Sequence, residues 1–263
     1  MRSFLFYFLT VLLAVFCLSS CKQSVSDQTT APGDTNHVAE AFGGHWIIKD
    51  YIDQLLQFHS ISGIQEGLEE IYIKPEVDSI YFTNGFEEVG FGFKRLNDTI
   101  LQVEKFNQDS LTNFVLSTQE HALSVLSYKD ISAQKTVVFS KVDTSNEISE
   151  SLFLYQPVTN RHIIAGNYTL TEPEEATVVF EKDGKITGWK DYQHYELCIA
   201  GDCRNFFDKQ DLITLSTSEK TEDFLLVKEK DSYALYEVVN VNKSDEMPFY
   251  EKGKRVYLFQ KKG

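Results

Sequence analysis

Few residues in this chain are placed to do chemistry, and cysteine is the most informative of them. Cys198 and Cys203 have four residues between them in a region that reads as strand and turn. In an oxidising compartment two such thiols close a small loop as a disulfide; otherwise they are buried free thiols or, with His194 four residues before Cys198, part of a metal site. A metal site wants more nitrogen and sulfur donors close by. The six histidines (His37, His45, His59, His121, His162 and His194) never stand two or four apart, so neither a metal centre nor a cofactor is expected. The pairs Glu69-Glu70, Glu87-Glu88 and Glu174-Glu175 place carboxyl groups side by side. Neighbours on a strand point to opposite faces, so a pair cannot itself supply the acid and nucleophile of a glycosidase, and solvated turn charges are the simpler reading. Hydrolase elbows, zinc-protease helices, phosphate loops, dinucleotide fingerprints and calcium loops are missing. No catalytic residue is therefore assigned. Aromatics are the remaining signal, because 20 Phe, 13 Tyr and 2 Trp exceed what a core of this size needs. Tyr168, Trp189, Tyr192 and Tyr195 together could line a barrel mouth and hold a sugar or apolar ligand, or could simply be cross-strand packing.

Stepping outward from these residues, the first twenty positions join a basic start (Arg2) to an apolar run from Phe4 to Leu18 and the small pair Ser19-Ser20. That is the pattern of an export signal, and the run falls short of the roughly 20 residues a spanning helix needs. Leu18-Ser19-Ser20-Cys21 resembles the lipobox of bacterial lipoproteins, which implies cleavage before Cys21 and diacylglycerol on its thiol. Two or three acyl chains, at about 0.8 kcal/mol per buried methylene, anchor a protein far more firmly than one. Lys22 rather than an aspartate after the cysteine directs the expectation to the outer membrane. Residues 21–41 are polar, rich in Ser, Thr, Asp and Gln, and too poor in large apolar groups to fold, so they read as a tether. The formal net charge of −14 disfavours nucleic acid and anionic headgroups as partners. It allows a basic protein partner.

The folded part reads as all-β. Ile48, Ile52, Leu55, Leu56 and His59, three or four apart, predict one short helix just after Gly44-His45-Trp46. Strands follow at 71–73, 79–83, 89–94, 99–104, 113–117, 123–128 and 136–141, with Asn84-Gly85 as a type I′ hairpin signal. Residues 144–160 break the pattern and read as a connector, with a helix start near Ser145 and a stop at Pro157. Strands resume at 167–170, 177–181, 185–190, 195–199, 212–216, 224–228, 233–239 and 256–260, with a second tight hairpin at Asp183-Gly184. The expected organisation is a signal (1–20), a tether (21–41), β-module 1 (42–143), a connector (144–160) and β-module 2 (161–263). Each module is a small antiparallel barrel or sandwich, the alternative being that both strand series build one large barrel or sandwich.

The modules also look like copies of one unit. Gly44-His45-Trp46 answers Gly166-Asn167-Tyr168, and Ser79 to Gly85 resembles Thr177 to Gly184. Leu123 to Tyr128 answers Tyr233 to Tyr236, and Lys135 to Phe139 answers Lys254 to Phe259. The Gly-x-Trp opening followed by hairpins resembles the lipocalin-like barrels, which implies that Trp46 plugs a closed end near a basic residue of the last strand, Lys135 or Arg255. Lipobox, tether and Gly-x-Trp together resemble the lipocalin-like lipoproteins of Bacteroidota over most of the chain, a group that brings no activity with it. Asp78-Ser79-Ile80, Asp98-Thr99-Ile100 and Asp109-Ser110-Leu111 resemble the O-glycan acceptor sequence of exported proteins of that phylum. Three functions remain in view: a non-catalytic envelope protein binding a small apolar or glycan ligand, a protein-interaction lipoprotein acting on a basic partner as the acidic lysozyme-inhibitor lipoproteins do, and, third, a hydrolase. The first predicts an open aromatic-lined cavity, the second a filled barrel with an acidic patch or a protruding 240–252 loop.

Overall fold

The computed structural model describes residues 41–64, 67–107, 110–117, 122–126, 136–144, 152–200, 210–242 and 249–262. The export signal, Cys21, the tether to residue 40, Lys135, Ser145 and Cys203 lie outside them.

The chain opens with β1 (Gly44–Ile48) and passes directly into α1 (Lys49–Phe58), within the Ile48–His59 span that its apolar spacing suggested. β2 (Glu70–Lys74), β3 (Ser79–Thr83), β4 (Glu88–Asn97), β5 (Ile100–Asn107), β6 (Ser110–Ser117), β7 (Ala122–Leu126) and β8 (Val137–Lys141) then follow as an antiparallel meander. β8 returns to pair with β1, Trp46 opposite Lys141 and Ile48 opposite Phe139, so the eight strands form a closed barrel without edges. Alternation sets the interior: Ile71 and Ile73 are fully buried while Tyr72 between them is only partly so, and Leu101, Val103, Phe114, Leu123 and Phe139 complete the filling.

α2 (Tyr155–Ile163) introduces the second half and runs through Pro157 instead of stopping there. The reason is position: Pro157 is the third helical residue, where the missing N–H would have had no intrahelical acceptor. β9 (Gly166–Glu172), β10 (Ala176–Phe180), β11 (Ile186–Thr187), β12 (His194–Leu197), β13 (Asp211–Ser216), β14 (Thr221–Glu229), β15 (Ser232–Asn240) and β16 (Tyr250–Lys261) form a second eight-stranded sheet. Its terminal strands meet through a single bridge, Lys185 with His194, so the second sheet is also barrel-like. The expected all-β, two-module, lipocalin-like architecture is what the molecule has. β11 is shorter than its sequence suggested because Gly188, at φ +78, turns the chain inward beside the carbonyl of Thr177 and carries Trp189 into the core.

Strand order tests the repeat correspondences. Trp46 and Tyr168 both lie on the first strand of their sheet, Leu123 and Tyr233 on the seventh, and Phe139 and Phe259 on the eighth. The hairpin correspondence is out of step by one strand, because Asn84-Gly85 follows the third strand and Asp183-Gly184 the second. Ser79 and Thr177 resemble each other through shared hairpin chemistry alone.

Candidate functional site

Tyr168, Trp189, Tyr192 and Tyr195 do come together, but as packing. All four are buried. Tyr168 meets Phe180, Tyr233 and Phe259 edge to face, Trp189 meets Tyr192, Tyr257 and Phe259, and Tyr195 meets Phe180. Edge-to-face contacts at these separations satisfy the ring quadrupoles on every side. Of the two readings the sequence left open, a barrel mouth or cross-strand packing, the rings follow the second and lie in the buried interior of the second sheet. Their polar ends are mostly tied off: the Tyr168 hydroxyl donates to Ile164 O (2.8 Å), that of Tyr195 to Glu181 O (2.6 Å), and that of Tyr192 to Glu222. Burial pushes the phenols of Tyr168, Tyr192 and Tyr195 well above the usual tyrosine range, with the Glu222 contact adding to the effect at Tyr192. The Trp189 indole N–H is buried without a hydrogen-bond partner among the described residues.

The tryptophan plug has a different basic neighbour from the two expected. Lys141 stands across from Trp46 with its ammonium 5.3 Å from the ring centre, and the Trp46 indole donates to Phe42 O (2.8 Å). Tyr168 repeats the arrangement, bonding four residues back and facing Lys261 in register. Arg255 instead grips Glu172 with two hydrogen bonds of 3.1 and 2.9 Å. Among the other candidates, Cys198 packs beside the small cluster of Leu212 and Leu225, and the His194 side chain is exposed. The described residues contain no group of three or more potential metal ligands. Thr99, in one of the acceptor-like sequences, is exposed in the turn between β4 and β5, whereas Ser79 is half-buried.

What the sequence did not flag is the joint between the halves. Glu69 and Glu70 were read as solvated, yet both are buried. The Glu70 carboxylate accepts hydrogen bonds from the backbone N–H groups of Leu154 and Tyr155, at the α2 N-terminus, and from His45 Nδ1 (2.8 Å). An anion at a helix N-terminus meets both unsatisfied donors and the positive end of the helix dipole. Tyr51 of α1 and Thr159 of α2 share a buried hydrogen bond of 2.9 Å, and His59 lies 3.3 Å from His162 O. Nothing in the spacing of Glu70 signals this; the only cue was a carboxylate at the head of a strand whose middle, Ile71-Tyr72-Ile73, is apolar and aromatic.

Beside that joint lies a cleft of about 580 Å³, within the size of small-molecule sites. Phe58, Ser60 and Ser62, from the end of α1 and the loop after it, form one wall; Gln210, Asp211 and Leu226 form the floor, and Lys228, Lys230 and Lys252 the rim. Asp211 anchors the loop, accepting from Ser62 N–H (2.7 Å) and the Ser60 hydroxyl (3.1 Å). Burial raises the Asp211 carboxyl above the usual range, against the opposing pull of these hydrogen bonds. The Gln210 side-chain oxygen is buried and has no hydrogen-bond partner among the described residues. Phe58 is 44% exposed, a ring face left for solvent or ligand.

No known protein family, curated protein or solved structure matches this chain. The cleft combines an exposed ring with hydroxyl, amide and carboxyl groups, a lining suited to a polyhydroxylated ligand. Asp211 is the only carboxylate among its described lining residues.

Proposed function

We propose that this chain is an exported lipoprotein, anchored through diacylglycerol on Cys21 in the outer membrane, that binds a small glycan in the cleft between its two barrels and catalyses no reaction. The observation that carries the ligand half is the cleft lining: the exposed Phe58 ring stands with Ser60, Ser62 and a Gln210 oxygen that has no donor among the described residues. Sugars offer what this surface wants, an apolar ring face and several hydroxyl donors. An apolar ligand would leave the Gln210 oxygen and the rim charges desolvated without compensation. The aromatics of the second sheet pack on one another and do not form the open aromatic-lined cavity expected of a ligand binder, so the glycan is assigned to the cleft instead. Among its described lining residues the cleft holds one carboxylate, Asp211, whereas glycoside hydrolysis ordinarily pairs two. A Cys198–Cys203 disulfide fits the exported compartment and closes the segment before β13.

A second reading has its own observation. Beyond the Phe224–Glu237 pair, β15 is bonded only to β16, and Val239, Val241 and Phe249 on this two-stranded ribbon are each more than two fifths exposed. Such a ribbon, in the segment expected to protrude, would serve a protein partner.

Native mass spectrometry of the full-length protein extracted from its own envelope in mild detergent distinguishes these readings. A retained carbohydrate mass supports the first, and a stoichiometric protein partner lost on Val241→Ser and Phe249→Ser substitution supports the second. A carbohydrate whose retention is unchanged by Phe58→Ala and Gln210→Ala rejects the cleft as its site.

A further inference from the structure

The rim of the cleft carries a charge pattern at odds with the chain as a whole. The protein has a formal net charge of −14, yet three of the ten lining residues are lysines. Four lysines elsewhere are ion-paired: Lys49 with Asp53, Lys185 with Asp183, Lys190 with Glu174 and Lys220 with Glu222. Lys228, Lys230 and Lys252 have no ion-pair partner among the described residues, although Lys252 rests 4.5 Å from the centre of the Tyr236 ring. Two carboxylates close to them are engaged by other groups. Asp211 is committed to the Ser60–Ser62 loop, and Glu229, between Lys228 and Lys230 in sequence, is turned towards the Tyr236 hydroxyl (2.8 Å) and Arg255. Lys230 also occupies a left-handed backbone conformation (φ 46) that glycine would hold with less strain, so this turn carries a lysine where backbone geometry alone favours none.

Three like charges around one concave surface repel, and an anion seated among them relieves the repulsion and gains charge-assisted hydrogen bonds. Size and the remaining polar groups narrow the anion further. A cleft of about 580 Å³ is much larger than a bare carboxylate or phosphate, and the unpartnered Gln210 oxygen needs a donor that a ligand hydroxyl supplies. We propose that the cleft is a site for an acidic sugar: its carboxylate is held by Lys228, Lys230 and Lys252, its ring lies against Phe58, and a hydroxyl donates to Gln210. This rests on the glycan reading above and adds the charge of the ligand.

The test uses isothermal titration calorimetry on the full chain with three probes: digalacturonate, the neutral galactose disaccharide and inorganic phosphate. Digalacturonate is expected to bind at least about tenfold more tightly than the neutral sugar, with an affinity that falls as salt is added. Lys228→Gln with Lys252→Gln should remove that advantage, while Lys185→Gln, which breaks a pair elsewhere on the surface, should leave it intact. Equal binding of the two sugars overturns the acidic-sugar inference and leaves the glycan reading standing. Phosphate binding as tight as digalacturonate, through the same lysines, overturns the sugar component and identifies a simple anion site. If no probe binds at millimolar concentration, both are rejected.

Discussion

Glu70, on the second strand of the first barrel, caps the helix that introduces the second, with its carboxylate 2.9 Å from Leu154 N and 2.7 Å from Tyr155 N. α2 has no side-chain cap of its own, so its first turn depends on a residue more than eighty positions earlier in the chain. Replacing Glu70 by alanine leaves two backbone donors and His45 Nδ1 facing a buried void. Removing one member of such a buried charged network costs about 3 kcal/mol or more. Glu70→Gln, which keeps an acceptor oxygen, should cost less. Urea denaturation reads both, and a Glu70→Ala midpoint equal to that of the wild type would show that α2 does not depend on this contact.

Alkaline stability should follow the buried phenols. Burial pushes Tyr233 up to about 12 and holds Tyr168, Tyr192 and Tyr195 higher still. A phenol whose folded value lies above its unfolded value of about 10 stabilises the fold fully below pH 10, and that contribution is lost as pH rises through the folded value. Tyrosinate absorbance should therefore show these four ionising together with the loss of circular dichroism, well after the exposed phenols. Ionisation of all the tyrosines before any loss of ellipticity would contradict the packing described.

Asp211 works in the same direction at the acid end. Its carboxyl is raised by burial, so the folded state holds the proton more tightly than the unfolded chain. Stability falls as pH climbs from the unfolded carboxylate value through the raised folded one. Asp211→Asn keeps an acceptor for Ser60 and Ser62 and removes the titration. The variant should be as stable as the wild type or more so at neutral pH, and its stability should be flatter as pH rises above the unfolded carboxylate value; an equally steep profile would assign the slope to other groups.

Gly188 is the backbone position least open to change. A Cβ there would lie 2.1 Å from Thr177 O, in a conformation (φ +78) that side chains rarely adopt, whereas one at Gly67 would meet nothing within 4 Å. Gly188→Ala should lower the thermal midpoint strongly and disturb the fluorescence of the neighbouring Trp189, with Gly67→Ala close to neutral.

The anchor is tested by Cys21→Ser, which should abolish acylation and move the protein from the membrane fraction to the soluble one. Continued membrane attachment would reject Cys21 as the lipid site.

Period and turn chemistry carried most of the fold. Ser79 to Thr83 was read to the residue because β-branched and aromatic side chains fill it and Asn84-Gly85 ends it. The α1 helix was legible in the spacing of Ile52 and Leu55. β1 was not read as a strand, since its five residues run straight into that helix and offer no alternation long enough to see. Pro157 misled because a proline marks a boundary without saying which side of it the helix occupies. The cleft was invisible for a different reason. Phe58, Asp211 and Lys252 are ordinary residues in three distant segments, and only the docking of one barrel against the other brings them to one surface. The aromatic cluster was found as a cluster, but composition cannot tell a ring that lines a cavity from one that fills it.

One apolar cluster runs without interruption from Trp46 and Leu55 through Ile61, Leu68, Val158 and Ile164 to Tyr168 and Phe259. The two barrels are thus not beads on a string. A single calorimetric transition is the natural behaviour of such a chain, and neither half can be exchanged between genes by recombination unless the other travels with it, because each would arrive with the wall of its partner missing. Whatever duplication or convergence produced two similar sheets, inheritance now treats them as one object.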